Sequence, residues 1–106
     1  MIKIYQINLD RDKNQIAWMP YVIIERNCGF DFSLYDEVWS GSEPNGCNSL
    51  EDVFNVFNLN RPEDFEGWSL SVSDVVQLID SPIGENGFYY CDSFGWKKLE
   101  IEGDKR

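Results

Sequence analysis

Nineteen carboxylates and not one histidine define the chemistry open to this chain. Without imidazole the usual serine and cysteine triads and most catalytic zinc sites are missing, so any catalysis would have to run on Asp and Glu. The neighbours Asp36-Glu37, Glu51-Asp52 and Glu63-Asp64 are adjacent along the chain rather than a convergent acid and base, and on a helix or turn such pairs form a solvated face. Asp10, Asp12 and Asn14 match the first three ligand positions of a calcium loop, but Gln15 stands where that loop needs glycine and Tyr21 where it needs a bidentate glutamate. No metal site is expected. Neither GxxxxGK[ST] nor GxGxxG is present to cradle a phosphate. Cys28, Cys47 and Cys91 are odd in number, widely spaced and without a CxxC, which fits reduced thiols rather than a disulfide framework or a zinc site. These residues predict a protein that is not an enzyme and takes no cofactor; a small carboxylate-based enzyme or metal-binding protein is the least supported alternative.

What the acids can do is attract. Nine Lys and Arg against nineteen Asp and Glu give a net charge of −10, and between Asn27 and Trp96 the only basic residue is Arg61, against thirteen acids. A folded surface this negative repels phosphate backbones and is drawn to basic grooves. Direct binding of nucleic acid is therefore disfavoured, and the expected partner is a protein with a basic groove, such as a nucleic-acid-binding protein or nuclease. Acidity also serves solubility with no partner involved. The carboxylates placed to act together are those on one capped helix and its flanking loops: Glu43, Glu51, Asp52, Glu63, Asp64 and Glu66. The aromatic set Trp39, Trp68, Tyr89, Tyr90, Phe94 and Trp96 exceeds what so small a core needs, and Trp39, Trp68 and Trp96 are the candidate anchors for a partner.

The elements that must position these residues read as one α+β domain over 1–106, an antiparallel sheet with one or two short helices on it. The densest alternation of strand formers lies between Gly67 and Ile101, where strands at 69–79, 87–92 and 96–101 form a meander, joined by a first strand at 1–9. Ser49 with Asp52 matches a capping box, and Leu50, Val53, Phe54 and Phe57 fall on one face of a helix over 50–58. Ile16 to Met19 can pair back on the first strand; 21–26 is open between helix and strand; 30–39 reads as a strand or a bent extended loop. The stretch 40–48 is a loop where mobility is expected, and 62–67 a tight acidic turn or a single helical turn with Phe65 as a plug into the core. Asp74 interrupts the apolar face of Leu70, Val72, Val76 and Leu78, so its carboxylate must be solvated or hold backbone N–H groups. Asp92 reads as a turn residue capping backbone donors. The tail 102–106 is expected to fray. No run is apolar enough to span a bilayer and the start enters a strand directly, so a cytoplasmic protein is expected.

Three stretches, IYQINLDRDKN, LEDVFNVFNLNRPEDFEGWSLSVSDVV and FYYCDSFGWKKLE, resemble in order and spacing the YodL-like family of small proteins and domains from Firmicutes and their conjugative elements. The resemblance covers nearly the whole chain. It implies no catalytic residue and no cofactor; it implies a setting in accessory regions of mobile elements, beside antirestriction-type domains. The segment PYVIIERNCG departs from the polar helical stretch common in that family. Together these readings predict a non-enzymatic acidic interaction protein of a mobile genetic element, in its sharpest form a nucleic-acid mimic that inhibits a restriction or CRISPR nuclease. The alternative is an accessory module that docks on a conjugation or DNA-processing protein.

Overall fold

The computed structural model describes residues 1–59, 62–65 and 67–101. Five strands, β1 (Ile2–Ile7), β2 (Tyr35–Gly41), β3 (Val75–Leu78), β4 (Gly87–Cys91) and β5 (Trp96–Leu99), form one sheet in the order β2-β1-β3-β4-β5, antiparallel at every step. Two helices, α1 (Tyr21–Asn27) and α2 (Leu50–Leu59), lie on it. The class is α+β, as the sequence predicts.

Alternation along β1 sends Ile2 and Ile4 to one face and Tyr5 and Ile7 to the other, and each face is covered. One core gathers Ile7, Ile24, Tyr35, Val75, Phe88 and Tyr90 beneath α1; the other gathers Ile2, Ile4, Val53, Phe57, Val76 and Leu78 beneath α2. With both faces covered, all four residues of β3 are buried, and the one polar member, Gln77, takes the Tyr5 hydroxyl at 2.7 Å on its side-chain oxygen. The α2 face is the expected one, but only Val53 and Phe57 are fully buried; Leu50 and Phe54 are partly covered. Its capping box differs in one respect. Ser49 Oγ accepts the Asp52 N–H at 3.2 Å, while the Asp52 carboxylate reaches past Ser49 to the Asn48 N–H at 2.8 Å.

Several boundaries differ from the sequence reading. The strand expected over 69–79 begins only at Val75. Ser73 adopts a left-handed φ of 84°, the Asp74 carboxylate accepts the Ser71 N–H at 2.8 Å, and the Asp74 N–H returns to the Ser71 carbonyl at 3.0 Å, so the chain turns where alternation implied a strand. Ile16 to Met19 pair with no strand, because the two Asp12 oxygens accept the N–H groups of Ile16 and Ala17 at 2.9 and 3.0 Å and fold the segment into a turn. Residues 21–27 are helical despite their β-branched content. Pro20 at the N-cap has no side chain to offer, and Asp92 of the β4–β5 turn instead accepts the Tyr21 N–H at 3.1 Å. Between 30 and 39 the chain makes a short 3₁₀ turn, Phe32–Leu34, before β2, which runs two residues into the expected loop. The phase shift in β2 is a bulge: Ile4 pairs with Trp39 and Tyr5 with Glu37, leaving Val38 extra, so Val38 and Trp39 both pack on the α2 core. Three other strands are also shorter than expected, β1 ending at Ile7, β4 at Cys91 and β5 at Leu99. The expectation of a frayed tail lies outside the described residues. No helix among the described residues is long and apolar enough to cross a membrane.

Candidate partner-binding surface

The α2 core is closed by aromatic side chains that also hold carboxylates. Near the C-terminal end of α2, Phe57 meets the Trp39 ring of β2 at 4.9 Å and the Phe65 ring at 5.2 Å, and the Trp39 indole N–H donates to Asp64 Oδ1 at 2.7 Å. In its first turn, Glu51 Oε1 accepts the Trp96 indole N–H of β5 at 3.1 Å. The helix therefore crosses the sheet from β5 to β2 with an indole–carboxylate pair at each edge. The acids and the tryptophans, which sequence reasoning treats as rival anchor sets, are here bonded to one another.

The other nominated residues fall at distinct places. Glu43 accepts the N-terminal ammonium of Met1 at 2.7 Å; burial opposes its ionisation, but the ammonium and the Ser81 hydroxyl prevail and hold its pKa below the ordinary value. Asp52 is occupied in capping α2. Glu63 is exposed, and Glu66 lies outside the described residues. Trp68 belongs to neither edge: its ring lies 5.5 Å from Trp18, and its backbone exchanges hydrogen bonds with the Gln6 amide at 2.9 and 3.2 Å. Across residues 42–72 the sequence carries six acids and a single base, Arg61.

Asp74 is fully buried. Its Oδ2 accepts from Ser71 N–H at 2.8 Å and from Gln6 Nε2 at 3.0 Å. Burial raises its pKa most; the Ser71 N–H, the Gln6 amide and the Trp68 indole pull the other way and leave it at about 7. The Trp68 indole is near enough to favour the ionised carboxyl yet completes no hydrogen bond, so Trp68 Nε1 and Asp74 Oδ1 are both unpartnered. Gln6 was not singled out in the sequence. Its signal was its place on the same face of β1 as Ile2 and Ile4, where a polar side chain must find a buried partner.

Concavities open on the surface formed by the described residues. One of about 140 Å³ lies between the first turn of α2 and the β4–β5 turn, lined by Glu51, Phe54, Cys91, Asp92 and Trp96 among others. A second, of about 220 Å³, lies beside Gln6, Leu9, Val38 and Trp68, and a third, of about 210 Å³, beside Arg11, Lys13 and Cys28. Among the described residues no three His, Cys, Asp or Glu side chains converge to hold a metal ion. Burial pushes the Cys91 thiol up to about 12, with Asp74 adding to the shift, so it forms a neutral wall rather than a nucleophile.

Sequence and fold together define a small acidic α+β domain with a five-stranded sheet covered on both faces. The chain belongs to the YodL-like domain family, whose model matches residues 1–101. No curated protein and no solved structure matches it.

Proposed function

We propose that this chain is a non-enzymatic acidic interaction protein of a mobile genetic element, which occupies the basic groove of a nucleic-acid-binding protein, most concretely a host defence nuclease of the restriction or CRISPR type. The supporting observation is the charge of the sequence around α2, where residues 42–72 carry six acids and one base. Carboxylates held at fixed positions present a charge pattern without the entropy cost of ordering it on contact. Glu51 and Asp64 are so held by Trp96 and Trp39, and Glu63 is exposed beside Asp64. On this reading the groove that binds the chain is the one that binds nucleic acid. Titration of the purified chain against a basic nuclease, with duplex DNA as competitor, tests it: displacement by DNA and weakening with salt support it, and a ternary complex with DNA contradicts it.

A second reading, an accessory module docking on a conjugation or DNA-processing protein, draws on the aromatic residues. Phe94 is 98% exposed at the tip of the β4–β5 turn, and Trp18 is 50% exposed. Under that reading binding survives salt and is lost with the aromatic side chains.

A further inference from the structure

We propose that Asp74, Gln6 and Trp68 form a pH-sensitive latch, in which loss of the Asp74 proton draws the Trp68 indole N–H onto Asp74 Oδ1 and its return releases the indole. The geometry is that of three donors converging on one buried carboxyl. Asp74 Oδ2 accepts from the Ser71 N–H at 2.8 Å and from Gln6 Nε2 at 3.0 Å. The Trp68 indole is the third, close enough to favour the ionised carboxyl but short of a hydrogen bond, so that Trp68 Nε1 and Asp74 Oδ1 are a buried donor and a buried acceptor on neighbouring side chains. With Oδ2 taken by two N–H groups, a proton on Asp74 belongs on Oδ1. There it sets an O–H against the indole N–H, and two donors repel. Without it, Oδ1 carries charge in a dry site and the indole N–H is the donor at hand.

The latch is placed to reach the surface. Gln6 Nε2 also donates to the Trp68 carbonyl at 2.9 Å, and Gln6 Oε1 accepts the Trp68 N–H at 3.2 Å. These bonds hold the Trp68 backbone on β1 and leave its ring as the part that can turn. The ring lies 5.5 Å from that of Trp18, which is half exposed and sits at a left-handed φ of 68° with its N–H on Ser73 Oγ at 2.9 Å. So bulky a residue adopts that φ only where its surroundings hold it, and the Trp68 ring is one of its supports. A turn of Trp68 therefore shifts a tryptophan that a partner can touch. The titratable groups that face Asp74 are Tyr35 from β2 and Tyr90 and Cys91 from β4; burial raises the pKa of each, and all stay neutral near pH 7. The chain has no histidine, so Asp74, with a pKa of about 7, is the side chain of this cluster that changes charge there.

The test is a titration from about pH 5.5 to about pH 9, read from the indole N–H signals in nitrogen–proton correlation spectra and assigned through Trp18→Phe and Trp68→Phe. The expected result is that the Trp68 and Trp18 signals move together with a midpoint of about 7, while those of Trp39 and Trp96, bonded to Asp64 and Glu51, stay in place. Asp74→Asn presents an amide N–H where the protonated carboxyl presents its O–H, so both signals should rest at their low-pH positions throughout. Trp68→Phe removes the third donor, and the Asp74 midpoint, followed on its carboxyl carbon signal, should rise by about one pH unit. A Trp68 signal that does not titrate, a common movement of all the indole signals, or a titration that survives Asp74→Asn would overturn the latch. So would an Asp74 midpoint unchanged in Trp68→Phe.

Discussion

Raising the pH from about 4.5 to about 7.5 should destabilise this protein, opposite to the usual gain from paired carboxylates. The cause is Asp74. In the fold its carboxyl is fully buried and its pKa is raised from 3.8 to about 7, chiefly by burial, against the pull of the Ser71 N–H, Gln6 and Trp68. Between those values the native state keeps a proton that the unfolded chain has lost, so stability falls as pH rises through the window and levels off above the folded pKa. At about 1.4 kcal/mol per pH unit the loss is at most about 4 kcal/mol. The window is unusually clean, because the chain has no histidine. The titratable neighbours that face Asp74, Tyr35, Tyr90 and Cys91, all have raised pKa values and stay neutral throughout. Asp36, held low by Arg11 and Asn8, and Glu43, held low by the N-terminal ammonium, contribute stability that is lost only as pH falls below the window. Urea melts at intervals across the range measure the slope. Asp74→Asn, whose amide oxygen can still accept from Ser71 and Gln6, should flatten it. A wild-type stability that is constant or rising over this range, or a slope that survives Asp74→Asn, would refute the reasoning.

Phe57→Ala should cost about 3 to 5 kcal/mol in denaturant melts, since its ring is fully buried between Trp39 and Phe65; Phe54→Ala, at a partly covered site, should cost clearly less. Asp92→Ala removes the acceptor for the Tyr21 N–H and should cost about 1 kcal/mol, with faster amide exchange confined to α1 and the β4–β5 turn. Gly67→Ala brings a methyl group onto the Gln6 side-chain oxygen and should destabilise the protein by disturbing the amide that supports Asp74, visible as a downfield or upfield move of the Trp68 indole signal. Calcium, magnesium or zinc at millimolar levels should leave the melting temperature unchanged, because a ligand bound only to the native state would raise it.

How far the sequence carried these conclusions depended on whether the deciding interaction was local. The capping box at Ser49 and Asp52 and the apolar face of α2 are local, and both were legible. So were the aromatic β4 and its turns. The strand predicted over 69–79 failed because alternation continued through Leu70 and Val72 while a side chain, Asp74, bent the backbone beneath them. The helix at 21–27 was undecidable from propensity, since its N-terminal cap comes from Asp92, 71 residues away in sequence. Val38 and Trp39 broke phase for a reason visible only in the pairing of β2 with β1, a bulge. The candidate surface was half legible: the acids and tryptophans were both named, but nothing in their spacing showed that Glu51 holds Trp96 and Asp64 holds Trp39.

The central claim, that the acidic stretch around α2 takes the place of nucleic acid on a basic partner, is tested most directly by one equilibrium measurement. A purified nucleic-acid-binding protein or nuclease that retains this chain is titrated with it at about 0.05 M and about 0.5 M salt, with and without saturating duplex DNA. The account predicts that affinity falls steeply at the higher salt, that DNA displaces the chain, and that changing Glu63, Asp64 and Glu51 together to their amides slows association while leaving the melting temperature unchanged. Equal affinity at both salt concentrations, or a partner that holds the chain and DNA together, would contradict it.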